Sequence, residues 1–268
     1  MICPPAPFRL PVALGLALLL AGPGEAASAA GLMPHEAEYR ISISTLEQAP
    51  TIGKARQKLT SCNGTWTLER DVEASFALTQ TLRFDVGSVL RAREAVDGRS
   101  LTYSLNRAIN GERSRREGSI ALTSRGGTAT LNSPEGRLRI ELPPETVLPV
   151  GLVLAAIERL KRGATEFSLE TFDAELTSDN FLVRGSVLDP QDLPPRYLDG
   201  IERERIGARV WPLQLQFFRA AQPTDPPLFQ TRLRLHETGV ISRMVLTYGW
   251  VSLGIDMTAF SALPESGC

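Results

Sequence analysis

Apolar and polar side chains alternate along most of this chain, and the alternation predicts strands. Tyr39, Ile41 and Ile43 are interleaved with Glu38, Arg40 and Ser42, and Phe76, Leu78, Leu82 and Phe84 share one parity against Ser75, Ala77, Thr79, Thr81 and Arg83. Leu138, Ile140 and Leu142 alternate with Arg137, Arg139 and Glu141. Towards the C-terminus the same rhythm carries Leu213, Leu215 and Phe217, then Phe229, Thr231, Leu233 and Leu235 against Gln230, Arg232, Arg234 and His236. Met244, Leu246 and Tyr248 follow, then Val251, Leu253, Ile255 and Met257. A period of two marks half-buried strands, with one face in a core and one in water. Asp97-Gly98 and Gly126-Gly127 fall between such runs and read as tight hairpin turns. The pattern predicts a mainly all-β fold: an antiparallel sheet of about a dozen strands, large enough to curl.

One segment departs from this rhythm. Leu152 to Arg162 (LVLAAIERLKR) has a helical pattern, with Pro143, Pro144 and Pro149 before it and Gly163 placed to end it. Lys161 and Arg162 complement the negative end of the helix dipole. Leu152 to Ile157 is almost wholly apolar, so the helix is expected to be buried, plugging the concave side of the curved sheet. Residues 189–195 (DPQDLPP) and 222–227 (QPTDPP) read as loops.

The first thirty residues have a different composition. Arg9 precedes an uncharged apolar run, Leu10 to Ala21, and a small-residue stretch follows at Glu25 to Ala30. A run of about a dozen residues is too short for the ~20 of a spanning helix and fits a secretory signal. Cleavage is expected after Ala29, leaving residues 30–268 as a single domain. A buried N-terminal helix or an uncleaved anchor is the alternative; Gly22, Pro23 and Gly24 directly behind the run argue against it. No cysteine lies at the cleavage point, so a lipid anchor is not expected, and no later segment is apolar enough to span.

Export changes the cysteine arithmetic. The chain encodes three cysteines, and Cys3 would leave with the signal. Cys62 and Cys268 then form an even pair in an oxidising compartment, which predicts a disulfide; two free thiols are the alternative. Closing a loop of roughly 200 residues is worth about 5 kcal/mol as an upper figure in the chain-entropy model.

Candidate chemistry is sparse. The formal charge is −1, with acidic and basic residues intermixed, so there is no footprint for nucleic acid. His35 and His236 are the only histidines and occur in no metal-binding motif. His35 reads as a residue at the start of its strand, bonded to backbone, and His236 falls on the polar parity, where a solvated side chain is expected. Neither a nucleophile elbow nor a phosphate-binding glycine loop is present. Asn63-Gly64-Thr65 fits a glycosylation sequon, but the signal has a bacterial character. Arg113, Arg115 and Arg116 suit an anionic ligand or phospholipid headgroups, or more simply a solvated strand face. No catalytic, cofactor or metal residue is assigned.

Several stretches, taken in order, resemble one family. They are Pro34-His35-Glu36-Ala37-Glu38-Tyr39, Cys62-Asn63-Gly64 with Trp66, Asp97-Gly98, the block from Leu142-Pro143 to Gly163, and Phe172-Asp173. Pro212 to Phe218, Gly239-Val240, Tyr248-Gly249 and the terminal Cys268 complete the set. In order and spacing they are similar to the EipB-like family of periplasmic cell-envelope integrity proteins, first catalogued as a domain of unknown function and found chiefly in alphaproteobacteria. The resemblance implies a long sheet wound as a spiral or open β-barrel, like bacterial lipoprotein carriers, with an associated helix and a Cys62–Cys268 bridge. It also implies a role in envelope maintenance without established enzymatic activity. Two departures stand out: Val147 to Leu152 lacks the histidine of a Phe-Pro-x-x-His element, and Ala174 replaces a glycine.

The expectation is therefore a non-enzymatic periplasmic protein that supports envelope integrity by binding a partner protein or a lipidic ligand. A lipid or lipoprotein carrier is the second reading and an envelope hydrolase the third. A continuous apolar cavity would favour a carrier; a Ser–His pair or clustered carboxylates in a cleft would favour a hydrolase.

Overall fold

The strands form one sheet that curls until its ends face strands far away in its own order. The computed structural model describes residues 31–43, 48–77, 83–134, 136–173, 180–196, 206–207, 209–265 and 268. The export segment, Leu78, Thr79, Thr81 and Leu82 of the alternating set, and Ala174 lie outside them. In chain order the elements are β1 (His35–Ser42), β2 (Thr51–Cys62), β3 (Thr65–Ala77), β4 (Arg83–Ala95) and β5 (Ser100–Ile109). Then come β6 (Glu112–Thr123), β7 (Gly126–Ser133), β8 (Gly136–Leu142), α1 (Pro149–Lys161) and β9 (Glu166–Phe172). The series ends with β10 (Asn180–Val187), β11 (Val210–Arg219), β12 (Phe229–His236), β13 (Ile241–Tyr248) and β14 (Val251–Ala262).

The sheet has 14 strands in the order β8-β7-β6-β5-β4-β3-β2-β1-β14-β13-β12-β11-β10-β9. Strands β1–β8 and β9–β14 are two antiparallel meanders, joined where β14 pairs with β1. The outer strands, β8 and β9, are consecutive in the chain and are linked through α1, so the barrel is open along this seam. The segment before the helix covers the edge of β9: Val147 N–H donates to Glu170 O (2.8 Å) and Phe172 N–H to Val147 O (3.4 Å). Across the interior, the Tyr103 ring of β5 lies 6.4 Å from the Phe172 ring of β9.

Tight turns set the register of the first meander. Asn63 (φ +48°) with Gly64 (φ +72°) joins β2 to β3, and Asn110 (φ +51°) with Gly111 (φ +86°) joins β5 to β6. Left-handed φ at both central residues is the type I′ requirement, which Asn-Gly meets at low cost. Asp97-Gly98 turns the chain between β4 and β5 as predicted, with Gly98 at φ +68°. Gly126-Gly127 does not form a turn; both residues open β7, and the chain reverses at Ser124-Arg125. Close approach explains Gly127 instead, because a Cβ there would fall 2.3 Å from Ala121 O.

Residues 31–268 form one compact unit. Its main core lies on the concave face, where Leu59, Leu68, Leu90, Leu101, Leu213 and Leu233 of the sheet pack against Val150, Ala156, Ile157 and Leu160 of α1. A smaller cluster gathers Ala37, Tyr39, Ile206, Val240, Met257 and Phe260. Helix α1 begins at Pro149, three residues ahead of the predicted Leu152, since proline at the first helical turn forfeits no hydrogen bond.

Candidate functional site

The candidate site is the space that the plug leaves. Between α1 and the concave sheet lies a cavity of about 220 Å³, smaller than the roughly 300–1,000 Å³ of drug-sized ligand sites. Pro149, Val150, Leu152, Val153 and Ala156 form its helical wall, faced by leucines of β2–β5 and β11–β12. The lining is mainly aliphatic, and its polar members are few: His35, Gln57, Arg70, Thr171, Asp173 and Thr231.

Three of these polar groups form a directed chain. Arg70 donates to Gln57 Oε1 from Nε (3.2 Å) and from Nη2 (3.0 Å). The Gln57 amide nitrogen lies 3.5 Å from His35 Nε2, and His35 Nδ1 donates to Met33 O at 2.7 Å. The Met33 bond fixes the tautomer, leaving Nε2 to accept from Gln57. Burial holds the His35 imidazole below its ordinary pKa, against the Met33 bond, so the chain has one neutral and one cationic end. The backbone-bonded role expected for His35 is the one it has.

Glu94 ties the helix to the wall. It points inward from β4 and is 2% exposed. Its carboxylate accepts the N–H groups of Val150 and Gly151, each at 2.8 Å. Leu148, the N-cap residue, offers no side-chain bond, so a strand residue supplies the hydrogen-bonding cap that α1 lacks. Burial lifts the Glu94 carboxyl to about 7, against the lowering effect of both N–H donors. Gly151 makes room for it, since a Cβ there would stand 3.4 Å from Glu94 Oε1.

His236 is not solvated as predicted; it is buried, with Nε2 2.9 Å from the Ser242 hydroxyl and Nδ1 3.3 Å from Gly207 O. Burial lowers its pKa, with the Gly207 bond opposing. The ring that meets the Gly207 carbonyl lies at a strand position that parity alone assigns to water. The pair is the Ser–His arrangement that would favour a hydrolase, yet Ser242 is buried too and neither residue lines the internal cavity. It fastens the end of β12 to β13 and offers no place for an ester. Among the described residues, no group of three or more His, Cys, Asp or Glu could hold a metal.

On the outer face, one row crosses four strands: Arg234 opposite Arg243, Arg243 opposite Asp256, and Asp256 opposite Arg40. Asp256, nearly inaccessible, is 3.1 Å from Arg196, 3.4 Å from Arg243 and 3.7 Å from Arg40. Arg234 donates to Leu193 O at 2.9 Å and Arg243 donates to Pro194 O, so the row straps the 189–196 loop onto the sheet. Burial and the neighbouring arginines lower the Arg243 pKa, with Asp256 opposing. Arg113 and Arg115 are exposed, and Arg115 pairs with Glu117 at 2.5 Å.

Cys62 and Cys268 are joined by a disulfide, with Cα atoms 5.3 Å apart across a separation of 206 residues. No described helix is long and apolar enough to cross a membrane.

A single antiparallel sheet, curled but unclosed, with a helix seated in its concavity, defines a β-barrel-like protein. Its family follows from residues 26–264, which match the EipB-like model; the chain belongs to the EipB-like family. Among solved structures it is similar to a β-barrel-like protein of the domain of unknown function DUF1849 from Brucella abortus. That match has a TM-score of 0.75 at 14% identity, covering 87% of this chain and 99% of the other. No curated protein matches the chain.

Proposed function

We propose that this chain is an exported, non-enzymatic protein of the periplasm that supports the cell envelope by binding a lipidic ligand beneath α1. The observation that carries the reading is the aliphatic cavity between helix and sheet, with a short polar chain in its wall. An apolar lining with few convergent polar groups suits a ligand with an alkyl body and a polar end. At about 220 Å³ the space suits part of one acyl chain; a diacyl lipid would need α1 displaced. The signal pattern of residues 1–29 and the Cys62–Cys268 bridge support an oxidising destination. Membership of a family similar to envelope-integrity proteins supports the cellular role.

The test is genetic and uses a filled cavity. Deleting the gene is expected to sensitise the bacterium to detergent and cell-wall stress, and the wild-type gene to restore resistance. Ala156→Leu places added methyl groups in the cavity from α1, and the exported, folded variant is expected to restore resistance poorly. Full complementation by a folded Ala156→Leu protein would end the reading of a ligand beneath α1.

A further inference from the structure

The sheet covers one of its two long edges and leaves the other open. At one end Val147 bridges to Thr171 of β9, while at the other β8 pairs only with β7. The hairpins on either side of β7 decide which backbone groups stay open. Thr123 pairs with Gly126, and Ser133 with Gly136, each across a two-residue loop. Bonded and non-bonded pairs alternate from there, so β7 bonds to β6 through Thr128, Thr130 and Asn132 and to β8 through Gly127, Ala129 and Leu131. In β8 the N–H and C=O groups of Leu138, Ile140 and Leu142 are thereby used, and those of Arg137, Arg139 and Glu141 point to the open edge. Among the described residues no other backbone group meets them. Residues 136–139 are all exposed, Leu138 among them although it shares the parity of the core.

An open edge accepts an extended strand, and the side chains of β8 select which one. Charged residues on an edge ordinarily discourage pairing, but here they are ordered: Arg137 and Arg139 come first and Glu141 follows. A second copy of β8, antiparallel about a two-fold axis, therefore brings arginine against glutamate. Centred on Arg137, Arg139 or Glu141, that axis would set a charged residue against itself, and centred on Leu138 it would set Arg137 against Arg139. An axis through Ile140 leaves no like-charge pair. Arg139 then stands opposite Glu141 of the second copy, and the reverse, while Leu138 meets Leu142 and Ile140 meets itself. Both Arg139–Glu141 pairs use the open N–H and C=O groups, and exposed Leu138 gains an apolar neighbour. Beyond Leu142 the pairing stops, since Pro143 has no N–H and its carbonyl accepts from Thr146 N–H (3.2 Å). Glu135 and Glu145 fall outside the paired stretch.

We propose that this chain self-associates through β8, two copies forming one continuous sheet across a two-fold axis at Ile140. The surface is separate from the cavity beneath α1, so the inference holds whether or not that space binds lipid. With the β9 edge covered, the contact is isologous and closes at two copies without growing into a fibre. Its area is that of one strand pair, so the dimer is weak and reversible, and it loosens as salt screens the ion pairs.

The test is sedimentation velocity of the purified protein over a concentration series. Wild type is expected to pass reversibly from monomer to dimer. Arg139→Glu and Glu141→Arg each set like charges opposite, and each is expected to weaken association about tenfold. An equimolar mixture of the two variants should regain it as a heterodimer, because each copy then offers the charges that the other lacks. Both side chains are exposed, so the substitutions leave the core untouched, and circular dichroism checks the fold. Ile140→Cys reads the register directly. Residues facing each other at a non-hydrogen-bonded pair have Cα atoms ~4.5 Å apart, within disulfide reach. This variant should therefore form a covalent dimer on a non-reducing gel, and Leu138→Cys should not. Four outcomes overturn the proposal: wild type monomeric at every concentration; a dimer that neither single substitution weakens; a mixture that stays monomeric; or crosslinking by Leu138→Cys in preference to Ile140→Cys.

Discussion

Glu94 shows how much one inward-facing charge can decide. Its pKa is raised to about 7 mainly by burial, so the folded state holds the proton more tightly than the unfolded chain does. Folding is then favoured by protonation: the Glu94 contribution is most favourable below about pH 4.5 and is lost as pH rises towards 7, at roughly 3 kcal/mol for the full shift. His35 and His236, both lowered, work in the opposite sense, because they must lose a proton to stay buried. Comparing Glu94→Gln with wild type isolates the carboxyl. The wild-type melting temperature is expected to fall relative to the variant's between pH 5 and 8, and parallel profiles would contradict the assignment. Gly185 makes a second case at this scale. The Phe167 ring lies over it, and a Cβ would stand 2.2 Å from the ring, so Gly185→Val should destabilise by roughly 1–3 kcal/mol in thermal melts.

The inward charges were also the most legible hint of the site. His35, Gln57, Arg70 and Glu94 all occupy the apolar parity of their strands, between residues such as Leu59, Leu68 and Ala92. A polar residue on a buried parity demands a partner, and that signal could have located the cavity wall. What each residue would meet was hidden, since the partners come from other strands or from α1.

At the level of elements, the alternation yielded most strands because period two is a local property of the chain. The curl of the sheet, its failure to close and the helix associated with it also agree with the sequence reading and the family resemblance. Departures cluster where tertiary contact overrides parity. Tyr248 shares the inward parity of Met244 but sits at the last position of β13, beyond the reach of the core. Leu138 is exposed because β8 is an edge strand. The Asn63-Gly64 and Asn110-Gly111 turns are also legible in the sequence, since Asn-Gly between alternating runs is a strong hairpin signal. The disulfide acts on this scale by fixing the chain's last residue to the end of β2. Cys268→Ser, or reduction of wild type, is expected to lower the melting temperature by about 5–15 °C. Equal melting of wild type, reduced wild type and variant would show the bridge to be energetically inert.

Across the whole molecule, a sheet of this length could have filled its concavity with side chains alone, but α1 enters it and leaves a small aliphatic space with a polar chain at one side. On the proposed reading, the room for a ligand depends on the position of that helix, which the Glu94 hydrogen bonds to Val150 and Gly151 secure. A rigid plug would limit the protein to one alkyl chain; a displaced plug would open room for a larger lipid. The most direct measurement of the central claim is native mass spectrometry of the protein purified from periplasm, followed by lipid extraction of the same sample. We predict a fraction carrying added mass that extraction recovers as lipid and that Ala156→Leu diminishes. A preparation that is entirely apo, with no lipid in the extract, would contradict the account.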